Sequence, residues 1–140
     1  MQDLINNPAH YKGYGFESLE LLEKLFKKMH KNINAFYLGN AIKYALRCEF
    51  KGNKLQDLQK CEFFVKKLEM FIDDSVKTKN LHESFKPFSS YIEKIRAKNG
   101  DIATLVSCLV AFALEPFKNN HAVLKVFIQK LIEEMNGSKG

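Results

Sequence analysis

The sequence predicts an all-α protein of about six helices. Apolar residues recur at three- and four-residue spacing along most of the chain. Between those runs fall the residues that start and stop helices: Pro8, Asn34, Gly52, Asn99-Gly100 and Pro116. At 140 residues, 46 % of them hydrophobic, the chain is long enough for one domain with a substantial core.

Taken in order, Pro8 and the Gly13-Tyr14-Gly15 pair make residues 1–15 an irregular arm. Over 16–31, Leu19, Leu22, Phe26 and Met29 sit at helical spacing. Asn34 caps a second helix running to about Phe50. Lys51-Gly52-Asn53 is a short turn. Leu55, Leu58, Cys61, Val65, Leu68 and Ile72 then form the apolar seam of a long third helix, ending near Lys77. So short a turn implies that the second and third helices pack as an antiparallel hairpin.

A joint follows at 76–80. Pro87 permits a helix start, and Tyr91, Ile92 and Ile95 give that helix its apolar face. Asn99-Gly100 stops it, and Asp101 is a suitable cap for the next. Residues 102–114 are apolar nearly all round, which marks a central buried helix. Pro116 ends it. Asn120 can cap a last helix, with Val123, Leu124, Phe127, Leu131 and Ile132 facing inward and residues 137–140 as a frayed tail. The expected organisation is a three-helix core over 1–78 and a helical layer over 79–140 packed on it as one unit.

A net charge of +6 favours anionic partners: a nucleotide, nucleic acid or an acidic surface. Three cysteines without CxxC spacing predict reduced thiols. The N-terminus has neither the basic start nor the apolar run of a signal peptide, and the longest apolar stretch, 105–114, is too short to span a bilayer. A cytoplasmic location and no membrane partner are therefore expected.

Several enzyme classes fail by motif. There is no GxxxxGK[ST], no GxGxxG, no HExxH and no GxSxG, and the four histidines lack ligand spacing. Four features remain. The arm carries His10 and Tyr11. Glu17 and Glu20 share a helix face and are candidates to hold a magnesium ion, or are acids placed at the positive end of a helix dipole. Asn40, Lys43, Tyr44 and Arg47 lie at i, i+3, i+4 and i+7, a basic stripe on one face of the second helix. Lys43 and Arg47 repel unless an anion offsets them; the stripe is a phosphate site, a solvated face, or one paired with an acid such as Asp57. Lys51-Gly52-Asn53-Lys54 and Asp57 stand beside the C-terminal end of that stripe.

The order of these residues resembles a small phage-associated family. It is catalogued as a domain of unknown function and described in places as a phage nucleotide kinase-like protein. The matching residues are Asn7, Pro8, His10 and Tyr11; Gly15 and Glu17; Leu38, Gly39, Asn40, Ile42, Lys43, Tyr44 and Arg47; Lys51 and Gly52; Asp57, Leu58 and Lys60. They cover roughly 5–72. Leu46 stands where the family usually has an aromatic, Cys61 to Val65 where it has Ala-x-x-Tyr-Leu, and Glu20 where it often has Asp. The resemblance implies nucleotide handling and, for a catalyst, phosphoryl transfer to a deoxynucleoside monophosphate. His10, Tyr11, Asn40, Lys43, Tyr44 and Arg47 would bind the nucleotide, and Glu17, Glu20 and Asp57 would hold magnesium. Hydrolysis by an acidic-pair pyrophosphatase fits less well, because the second acidic pair is missing. The rival from another class is a non-catalytic protein that sequesters a nucleotide or engages a host protein. Residues 79–140 match nothing in the resemblance; they leave a second helical layer, an oligomerisation surface and a partner-binding addition all open.

Overall fold

Residues 13–50 and 52–139 are described by the structure, a computed structural model. The arm over 1–12, with Asn7, Pro8, His10 and Tyr11, lies outside the described residues, as do Lys51 and Gly140. Among the described residues there are six α-helices of eight residues or more, one of five, and no strand. They are α1 (Ser18–Lys28), α2 (Ala35–Arg47), α3 (Lys54–Lys67), α4 (Leu81–Phe85), α5 (Ser89–Arg96), α6 (Gly100–Leu114) and α7 (Lys118–Lys139).

The fold is organised around α6. Nine of its fifteen residues are buried, and it packs against α1, α2, α4, α5 and α7. Leu105, Val106, Leu109 and Val110 are fully enclosed, and burying each such side chain contributes about 1.5–3 kcal/mol. The core they join takes residues from both halves of the chain, Leu21 and Leu38 as well as Phe88 and Leu124. The part beyond the hairpin therefore fills the core that the hairpin alone would leave open.

α2 and α3 form the expected antiparallel hairpin. Arg47 meets Asp57 near the turn, Tyr44 meets Phe64 further along, and Tyr37 meets Phe71 at the far end. Gly52 makes the turn possible: its φ of +73° lies in the left-handed region that side chains with a Cβ disfavour. Behind the hairpin, His121 of α7 holds the Val65 carbonyl of α3 at 2.8 Å through its Nε2.

Several details depart from the sequence expectation. The third helix stops at a 3-10 turn, Leu68–Phe71, rather than near Lys77. The Asp73 carboxylate accepts from the Ser75 amide at 3.0 Å and its own amide donates to the Pro116 carbonyl, and both bonds compete with helix continuation. Asn99, not Asp101, caps α6, its side chain accepting from the Ile102 amide at 3.1 Å. α7 begins at Lys118, whose amide is taken by Asp74 at 2.8 Å, while Asn120 donates back to the Glu115 carbonyl. α7 continues through Gly137 to Lys139 instead of fraying; one glycine costs only about 1 kcal/mol against alanine in a helix. Val123 is exposed because the inner face of α7 is set by His121, Leu124, Ile128 and Leu131. α1 turns Leu21 and Leu25 inward, leaving Leu19 and Phe26 outside, and is shorter than expected at both ends. Tyr14, assigned to the arm, is buried, as is Phe16, expected to open the first helix.

Candidate functional site

α2 presents its two faces as the spacing requires. Ala41, Ile42, Ala45 and Leu46 are buried, and Asn34 starts the helix by accepting from the Tyr37 amide at 3.1 Å. Gly39 lets α1 come close: a Cβ there would stand 3.0 Å from the ring of Phe26. Asn40, Lys43, Tyr44 and Arg47 occupy the other side, but they do not act as one stripe.

Arg47 turns into the protein. Its Nε lies 3.9 Å from Asp57 Oδ2, with the two side chains 10 % and 4 % exposed. That distance is an ion pair without a hydrogen bond. Neither of these two atoms has a hydrogen-bond partner among the described residues. The Tyr14 hydroxyl is also buried without a partner; burial first, then the nearby Cys48 and Glu49, push its pKa well up. Asp57 sits in the first turn of α3, where the helix dipole favours a carboxylate. The structural pairing that competes with a ligand role for Arg47 is thus present.

Tyr44 organises the outer part. The Lys43 Nζ, the Arg47 Cζ and the Lys60 Nζ each lie 5.4 Å from its ring centre. Lys60 comes from α3, so the hairpin brings the third cation in. Phe64 stands parallel to the Tyr44 ring, with centroids 6.1 Å apart and planes within 7°. Cation–π attraction offsets part of the repulsion, about 0.5–1 kcal/mol per exposed contact. Asp57 is the one carboxylate paired with this group among the described residues. Three cations thus share one ring, and of the three Arg47 is the one paired with an acid among the described residues.

Asn40 is placed otherwise. Its side chain donates to the Phe36 carbonyl at 2.8 Å, and with Lys43 it lines a shallow recess of about 300 Å³ between α1 and α2. Lys43 alone borders both this recess and the Tyr44 cluster.

The carboxylates do not converge. The Glu20 side chain accepts from the Tyr91 hydroxyl at 2.8 Å and ties α1 to α5. Burial, and then that bond, raise the Tyr91 pKa. Glu17 precedes α1 as its N-terminal cap residue. Among the described residues no group of three or more His, Cys, Asp or Glu side chains is placed to hold a metal ion, so Glu17, Glu20 and Asp57 do not come together as one such group. At the hairpin turn, Lys54 pairs with Glu49 at 2.7 Å, and that hydrogen bond raises its pKa. Cys48 beside them donates to the Ala45 carbonyl, and burial pushes its thiol up to about 12.

Lys60 and Phe64 are the site residues that the sequence reading left out of its binding set. Lys60 follows Asp57 by three residues, one helical turn, which was the available signal; Phe64 carries none until the hairpin register is known.

Residues 5–66 match a family model described as protein of unknown function (DUF3310). That span takes in α1, α2 and nearly all of α3, and so includes every residue of the Tyr44 cluster. No curated protein and no solved structure matches the chain. No helix among the described residues is long and apolar enough to cross a membrane.

Proposed function

We propose that the Tyr44 cluster binds a phosphorylated ligand, and that this ligand is a nucleotide. The observation that supports it is the convergence of Lys43, Arg47 and Lys60 at 5.4 Å on one ring, where among the described residues Arg47 is the one of the three paired with an acid, Asp57. A phosphate would neutralise the excess charge, and Tyr44 and Phe64 offer ring faces for a base. The resemblance to phage proteins described as nucleotide kinase-like favours a nucleotide over other phosphorylated molecules, and a phage or mobile-element setting. Lys43 and Lys60 would contact the phosphate oxygens. Arg47, held inside by Asp57, would contribute field more than contact.

Phosphoryl transfer to a deoxynucleoside monophosphate and sequestration of a nucleotide would both use this site. Cations around the phosphates are what such a transfer chiefly requires of the protein. Incubation with a nucleotide panel, followed by chromatography for new phosphorylated species, separates the two. The binding itself is tested by calorimetric titration with nucleoside mono- and triphosphates and with inorganic phosphate. A charged hydrogen bond contributes about 1.5–3 kcal/mol, so Lys43→Ala should weaken the complex roughly tenfold to a hundredfold. Equal affinity in the parent and the variant would overturn the proposal.

A further inference from the structure

The outer face of the hairpin continues well beyond the Tyr44 cluster. Phe36, Tyr37 and Tyr44 on α2 meet Phe64 on α3 and Phe71 on the 3-10 turn that follows it, with centroid separations of 5.9 to 6.3 Å, and Phe63 adds an edge contact to Phe64 at 5.1 Å. Phe36 is 65 % exposed and Phe63 54 %. Rings that large are seldom left in water by folding alone, and here they are contiguous. Cations are interleaved with them. Lys43 and Lys60 lie over Tyr44, and the Lys67 Nζ lies 5.4 Å from the Phe63 ring. Neighbouring Lys66 is instead engaged by Glu62 at 3.8 Å. The face from Phe36 to Arg47 is about 16 Å long at the helical rise per residue.

We propose that this face binds single-stranded nucleic acid, with bases stacked on its exposed rings and phosphates on Lys43, Lys60 and Lys67. The inference rests on reading the Tyr44 cluster as a phosphate site and extends it along the hairpin. Unpaired bases supply planar faces to such rings, which a duplex keeps stacked inside. An acidic protein segment would satisfy the lysines but would leave Phe36 and Phe63 without planar partners.

Fluorescence anisotropy with a labelled short oligothymidylate tests it, alongside calorimetry with thymidine monophosphate. The oligonucleotide should bind more tightly than the mononucleotide. Its log affinity should fall against log salt with a slope of about −2, as three neutralised phosphates require. Phe36→Ala and Phe63→Ala should each weaken the oligonucleotide about fivefold or more, and Phe63→Tyr should restore binding. Both phenylalanines are exposed, and melting curves check that the variants keep the fold. An oligonucleotide bound no better than the mononucleotide, or bound equally by Phe63→Ala, overturns this inference and leaves the phosphate site standing. So does a polyglutamate that competes as well as the oligonucleotide. Loss of all binding, mononucleotide included, overturns both readings.

Discussion

Phe88 and Phe112 are fully enclosed against the α6-centred core, whereas Phe36 and Phe63 stand more than half exposed on the outer face of the hairpin. The charges divide too, but within the hairpin as well as outside it, since Lys54 and Lys66 stand on α3. Lys54, Lys66 and Arg96 each have a carboxylate partner at 2.7 to 3.8 Å. Lys43 and Lys60 instead crowd one aromatic ring. Around α6, the large aromatic side chains Phe88 and Phe112 are explained by packing. On the hairpin face, rings and cations remain that packing does not explain. The difference separates residues that hold the fold from residues available to a ligand.

The largest test of that contrast is Leu109→Asp. Leu109 is completely buried in α6, and a charge placed there has no partner. The loss should be several kcal/mol, enough to prevent folding, and circular dichroism on the variant checks it. A variant that melts with the parent would show that α6 is not the centre of the core.

A matched pair of phenylalanines sharpens the comparison. Phe88→Ala should cost about 3–5 kcal/mol by denaturant unfolding, as a cavity in a packed core does. Phe63→Ala should stay within about 0.5 kcal/mol of the parent. Equal losses would mean that the outer rings are structural.

Arg47 lies on the boundary between the two regions. Arg47→Ala leaves the Asp57 carboxylate buried without its cation and should cost about 3 kcal/mol. Arg47→Ala combined with Asp57→Ala should cost much less than the sum of the single changes. Additive losses would show that the pair is not coupled. Because Arg47 is structural in this way, Lys43 and Lys60 are the cleaner probes of binding.

Much of the architecture was readable in the sequence, and the reasons are local. The hairpin followed from two apolar seams and a three-residue polar turn, and α6 from a segment without a polar face. What depended on distant partners was not readable. The stop after Leu68–Phe71 needs Pro116, and the start of α7 needs Asp74. The site was half readable. The i, i+3, i+4, i+7 spacing found Lys43, Tyr44 and Arg47 together. It could not show that Arg47 turns inward to Asp57, that Asn40 bonds its own helix, or that Lys60 arrives from α3. Glu17, Glu20 and Asp57 shared a sequence logic, but the first two stand at the start of α1 and Asp57 at the start of α3, with Glu20 committed to Tyr91.

A smaller effect belongs to the buried thiols. Burial raises Cys48 to about 12, and raises Cys61 and Cys108 as well. The unfolded chain ionises its thiols from about 8.5 upward, while the folded chain holds them protonated. Stability should therefore be intact below that pH and decline as pH rises from about 8.5 towards 12. Denaturant midpoints measured across that range check the sign. With the fold intact, Cys108, the one thiol that is not fully enclosed, should alkylate first.

The central claim is that Lys43, Arg47 and Lys60 are brought together for an anion, and thermal melting of parent and Lys60→Ala, each with and without nucleotide, tests it most directly. Removing Lys60 relieves like-charge repulsion, so the free variant should melt at or slightly above the free parent. Saturating nucleotide should then raise the parent more than the variant, because stabilisation follows ligand concentration relative to Kd. Lys130→Ala, at an exposed position on α7, should behave as the parent in both conditions. A Lys60→Ala variant that is destabilised when free and raised by nucleotide as far as the parent would contradict the account.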